Sequence, residues 1–147
     1  MATDFYNPGN GTGVIITCRP FIGDDKTVTR FWLDRVSFTN LTDGSSNTFL
    51  SGEIHIPIGE INVPPYNGAA FNGNELDGHC RIGGPGIPIL TPNQEAGLIL
   101  GFGSAHPGTC NFVHADGSTH AINNGIDTIV LANLCHRSDG EVVGSFK

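Results

Sequence analysis

Long apolar runs are missing from this chain of 147 residues. None reaches the roughly 18 apolar residues that a membrane-crossing helix needs. A charged, then apolar, then small-residue export signal is also missing at its start. Basic residues are few: seven Lys and Arg, scattered, against a net charge of −7. That excludes a nucleic-acid partner, because phosphate-backbone binding rests on clustered cations. Charged residues of both signs make up only 14% of the chain, and surface helices are usually rich in them. No Cys-x-x-Cys occurs, which removes zinc-ribbon and thioredoxin-type readings. There are no heptads and no internal repeat.

Turn formers are plentiful instead. Gly 21 and Pro 9 point to short strands joined by turns. The length fits one domain, residues 1–147, able to bury about 68–70% of its unfolded surface without metal or disulfide. The four cysteines, Cys18, Cys80, Cys110 and Cys135, allow three pairings, and sequence does not choose among them.

Residues 1–13 are Asn- and Gly-rich and read as a loose segment. Val14–Cys18 and Thr27–Asp34 are strand candidates, with residues 20–26 as a break between them and Val36 and Phe38 as a further inward pair. Phe49–Ile58 alternates most clearly. It places Leu50, Ile54, Ile56 and Ile58 on one face and Phe49, Ser51, Glu53 and His55 on the other. Residues 59–97 form a long irregular excursion, punctuated by Pro64-Pro65 and Gly83-Gly84-Pro85-Gly86. His106-Pro107-Gly108 is a corner. Asp116-Gly117 then turns one strand into another ending at Ile122, with positive φ expected at both turn residues. Asp127 caps a helix from Thr128 to about His136, and Glu141–Phe146 is a last strand candidate. The expected class is α+β: a mainly antiparallel sheet with one short C-terminal helix.

Several residues invite chemistry. His106 and Asp116, with Glu53 or His55 from a neighbouring strand, form a candidate metal or acid–base cluster. The bland alternative is turn geometry for Asp116 and a backbone bond for His106. Asp43 and Asn47 offer oxygens to calcium, although an Asx-turn accounts for both. Cys110 beside Asn111 and near His114 is a weak nucleophile candidate. His79-Cys80 and Cys135-His136 fit no standard zinc spacing. The serines lack a nucleophile-elbow setting, and the 83–86 glycines lack the lysine of a phosphate loop. Trp32, Tyr66, Asn72 and Arg81, with Tyr6 and Phe71, are a candidate surface for sugar or solute.

The order of motifs is itself informative. Thr42-Asp43-Gly44-Ser45-Ser46-Asn47-Thr48 is followed by Gly52-Glu53, Asn72-Gly73, Arg81 with Gly83-Gly84-Pro85-Gly86, and Phe102-Gly103-Ser104. Then come His106, nine residues, Asp116-Gly117, and finally Arg137 with Asp139-Gly140-Glu141. In these pieces, over about residues 12–146, the chain resembles a planctomycete family of prepilin-like proteins with a His-x9-Asp-Gly processing-associated domain. That family is also catalogued as predicted solute-binding proteins. Its members resemble type IV pilins and type II pseudopilins. The resemblance implies a pilin-like head without its N-terminal anchor helix, which would be its membrane link, and a place outside the cell or on its surface. It implies a non-enzymatic assembly module with other pilin-like subunits as partners, and no cofactor unless calcium at Asp43. Alternatives are a carbohydrate- or small-solute-binding module that takes surface glycans, and a metal-dependent enzyme around His106, Asp116 and Glu53. An assembly module should expose an apolar groove, and a binding module should converge aromatics on a concave site.

Overall fold

The computed structural model describes residues 11–16, 19–22, 29–33, 35–63, 80–94, 100–141 and 143–144, and of 19–22 and 29–33 the backbone alone. Among the described residues, two antiparallel sheets, a short 3-10 helix and one α-helix carry the regular structure. Strands β1 (Arg19–Ile22) and β2 (Thr29–Leu33) form a two-stranded sheet with Phe21 opposite Phe31. β1 falls where a break was expected, and residues 14–16, expected as strand, are bends and irregular chain. Pro20 is tolerated in β1 because every strand of a two-stranded sheet is an edge, so its missing donor need not interrupt a ladder. Phe38 opens a short 3-10 helix, Phe38–Asn40, and is 77% exposed, so it is no inward residue.

The second sheet has the order β3 (Phe49–Gly52), β4 (Thr109–His114), β5 (Thr119–Asn123). β4 and β5 are the expected hairpin, in register from Thr109 opposite Asn123 to Val113 opposite Thr119. The turn differs from expectation in its chemistry. The Gly117 N–H donates to the His114 carbonyl, the His114 N–H donates to Ser118, and only Gly117 has positive φ, +87°. This is a type I turn closed by a left-handed glycine, so Asp116 keeps ordinary backbone geometry.

The strand expected over 49–58 is cut short. The register slips between Phe49 and Ser51, and the strand ends at Gly52. The buried side is the one that carries Phe49 and His55, while Leu50 and Ile58 of the apolar set lie 36% and 73% exposed. Gly52 crosses the sheet where a Cβ would meet the Phe112 ring at 2.6 Å. Beyond it, the 101–103 segment bridges Ile54 on one side and Ile82 and Leu90 on the other. This ties the irregular 80–94 stretch to the sheet without giving it strands of its own.

Helix α1 (Thr128–Cys135) begins where Asp127 accepts from the Ile129 N–H at 2.7 Å. Leu131 and Leu134 bury one side of it against Phe49, Phe102, Cys110, Phe112 and Ile122. Inside that core the Phe49 and Phe112 rings stack with centroids 4.2 Å apart, and the His114 ring meets Phe49 edge-on. Residues 141, 143 and 144 are not strand, and the rest of the expected Glu141–Phe146 strand lies outside the described residues.

Candidate functional site

The residues singled out by sequence separate into two polar clusters and a cleft. The first cluster centres on Glu53, just past β3. Its Oε2 accepts from the Asn111 N–H at 2.7 Å, and its Oε1 lies 3.1 Å from His106 Nε2. A carboxylate only accepts, so the imidazole is the donor. The Ser104 Oγ accepts from the backbone N–H of His106 at 2.9 Å, which fixes the corner. Burial pushes the Glu53 pKa up, but hydrogen bonds from the Asn111 backbone and side chain and from Ser104, with the charge of His106, outweigh it and hold the group below the usual value. Glu53, His106 and Asn111 are therefore brought together.

Asp116 is not among them. It sits past the far end of β4, separated from His106 by six strand residues, about 20 Å at 3.4 Å each. Its Oδ1 accepts from the Ser118 hydroxyl at 2.7 Å and the Ser118 N–H at 2.8 Å, which lowers its pKa. The proposed Glu53–His106–Asp116 metal set is thus divided, and Asp116 and Gly117 serve their own turn. Ser104 and Cys110 are the hydroxyl and thiol beside the Glu53–His106 pair. Ser104 is buried, and burial with the Glu53 charge pushes the Cys110 thiol up to about 12. Cys110 and Cys135 are both thiols, so neither joins any of the pairings the even count allows, and Cys18 lies outside the described residues.

The second cluster is a latch built on Asp43, a buried carboxylate. Its Oδ2 accepts from the Asp139 N–H at 2.8 Å and its Oδ1 from the Gly140 N–H at 2.9 Å. Arg137 extends the latch: its backbone N–H donates to Thr12 at 3.1 Å, and its guanidinium to the carbonyls of Gly11 and Gly13. Residues 11–13 are accordingly held rather than loose. Asn47 does not converge on the Asp43 carboxylate; its Nδ2 donates to the Asp43 carbonyl at 3.0 Å, as a turn cap. Asp43, His136 and Asp139 do offer ligand atoms within 4.8 Å of one another. Backbone N–H groups donate to both Asp43 oxygens, to His136 Nδ1 from Ser138 and to Asp139 Oδ1 from Glu141, while Asp139 Oδ2 stands 4.0 Å from His136 Nδ1.

Beside the second cluster lies a cleft of about 490 Å³. Segment 12–15, the outer side of β3, loop 80–87 and the C-terminal end of α1 enclose it. Val14, Ile15, Leu50 and Ile82 give it apolar walls over a floor of Phe49 and Phe102, and Arg81, His136 and Asp139 stand among its polar lining. The Cys135 thiol also faces it, pushed up to about 12 by burial. A Cβ on Gly83 would meet that sulfur at 2.5 Å, so the glycine is what lets loop and helix close on each other. Tyr66, Asn72, Tyr6 and Phe71 lie outside the described residues, as does the Trp32 side chain. Among the described aromatics only Phe49 and Phe102 line the cleft.

The sequence offers His55 as an alternative to Glu53 in the cluster with His106 and Asp116. It is 1% exposed. Burial lowers its pKa, the nearby Gln94 backbone opposes this, and the Arg81 charge adds to the lowering. The Asp43–Gly140 latch was missed. Its only trace in the sequence is the recurrence of Asp-Gly at 43 and 139.

No curated protein and no solved structure matches the chain. A family model, SBP_bac_10, described as a protein of unknown function (DUF1559), matches residues 3–128, most of the sequence. With that extent of match, the chain belongs to the DUF1559 family.

Proposed function

We propose that this chain is a non-enzymatic structural or assembly module of a pilin- or pseudopilin-like surface system, working outside the cell or at its surface. The observation that carries the reading is the apolar cleft beside β3, lined by Ile15, Leu50 and Ile82 and floored by two phenylalanines. Such a recess suits an apolar segment of a partner subunit better than a sugar, which calls for exposed aromatic platforms. A second reading, a small-solute module, draws on the cleft volume, which falls in the range of small-ligand pockets. No cofactor is required for either.

The two part under one experiment. A photo-crosslinking residue is placed at Leu50 on the cleft and, separately, at Asp116 on the distant turn, and both proteins are expressed in their own cells. The assembly reading expects crosslinks to surface subunits from position 50 and none from 116. An absence of crosslinked protein at position 50, together with a small solute that titrates into the purified chain, would overturn it.

A further inference from the structure

Phe38 is the most exposed large apolar side chain among the described residues, at 77%. It opens the 3-10 helix Phe38–Asn40 and does not line the cleft. A phenyl ring left in water forgoes one of the larger burial gains a side chain can make. Two residues on, Asn40-Leu41-Thr42 is one of two Asn-x-Ser/Thr tripeptides in the chain. That pattern accepts N-linked sugar in exported proteins. The turn holds the asparagine in a fixed pose. Its Oδ1 accepts from the Ser37 N–H at 2.8 Å and from the Ser37 hydroxyl at 2.9 Å. A backbone N–H only donates, so these bonds identify the amide oxygen and therefore Nδ2. Among the described residues nothing accepts from Nδ2. Leu41 is buried and anchors the turn, while Asn40 and Thr42 on either side of it are exposed.

We propose that Asn40 Nδ2 is the acceptor of an N-linked glycan whose first sugar packs on the Phe38 ring. This rests on the reading that the chain works outside the cell or at its surface. The donor is a sugar chain on a polyprenyl diphosphate, delivered by a transferase of the cell. The sugar C1–Nδ2 bond forms as the C1–O bond to phosphate breaks. The lipid diphosphate leaves with the electron pair, and Nδ2 gives up one proton. Oδ1 forms no new bond, so both bonds from Ser37 survive the attachment. Ring and acceptor lie two residues apart in a 3-10 helix, about 4 Å of rise, which sets the apolar C–H face of a pyranose within reach of the phenyl. The other tripeptide, Asn10-Gly11-Thr12, has Pro8 in place of that ring and offers no such platform.

Mass mapping of the chain purified from its own cells tests this. The peptide that contains Asn40 is expected to carry whole sugar residues in most copies. Thr42→Ala leaves the asparagine and its Ser37 bonds in place, and should abolish the modification; Thr42→Ser should keep it. Asn40→Gln should abolish it too. Phe38→Ala keeps the acceptor and removes the platform. The sugar should therefore raise the denaturation midpoint of the wild type and leave that of Phe38→Ala unmoved. Asn40 at its plain mass in the wild type would overturn the proposal. So would sugar retained on Asn40 in Thr42→Ala, or a stabilising effect of the sugar that is the same with and without Phe38. If Asn40 proves bare while position 50 still crosslinks to surface subunits, the glycan falls and the assembly reading stands. If Asn40 carries sugar while position 50 stays silent, the assembly reading falls and the glycan stands.

Discussion

Asp43-Gly44 and Asp116-Gly117 are the same dipeptide, each with its glycine at positive φ, +96° and +87°. Their structural loads differ. Asp116 is exposed and serves Ser118, two residues on. Asp43 is buried, and its carboxylate reaches Asp139 and Gly140, 96 and 97 positions away. One aspartate shapes a local turn whose strands are already paired. The other joins two distant chain segments, beside its own backbone N–H, which donates to the Arg137 carbonyl at 3.4 Å. Local sequence signals report the shared turn chemistry and are blind to the distant partner.

The contrast breaks most visibly at Asp43. Replacing Asp43 by Ala should cost about 2–4 kcal/mol, the loss of two charge-assisted hydrogen bonds to the 139–140 turn. Asn, which keeps one oxygen, should cost roughly half as much, and urea denaturation with a single probe in the core reads both. If Asp43→Ala matched Asp116→Ala, the latch would be ornamental. A smaller effect comes from acid. The folded-state pKa of His55 lies below its ordinary value, so the unfolded chain binds the proton first. Stability is then full above about pH 6.5 and falls as pH drops toward the lower folded value. His55→Phe should flatten that window, whereas both aspartate variants should retain it. The smallest effect is expected at Asp116→Ala, which removes one acceptor from an exposed turn. Its denaturation midpoint should barely move, and whatever the carboxylate contributes should vanish only below the ordinary Asp range, because its folded pKa is depressed.

The parts of the molecule that could be read from sequence are those whose causes are local. The Asp116-Gly117 hairpin and the Asp127-capped helix follow from turn and cap chemistry within a few residues. Glu53, His106 and Asn111 were all legible as site residues, and of the two carboxylates set beside His106, Glu53 meets it and Asp116 does not. Which carboxylate meets it depends on where β3 lies against β4, and no spacing encodes that. The alternation of 49–58 overstated the strand because a bulge at Leu50 costs one residue of register and leaves no mark on the hydrophobic pattern. An apolar groove was expected of an assembly module, yet its walls come from four separated stretches, so its location had to await the fold.

Arg137 has one more consequence. It clasps residues 11–13 to the turn that Asp43 holds, so stretches near the two ends of the described chain meet beside the cleft. Tension applied through those stretches would pull first on this clasp, a handful of hydrogen bonds loaded side by side, and would spare the stacked phenylalanines. A pulling experiment should therefore record an early, small rupture at the clasp before the sheet itself gives way.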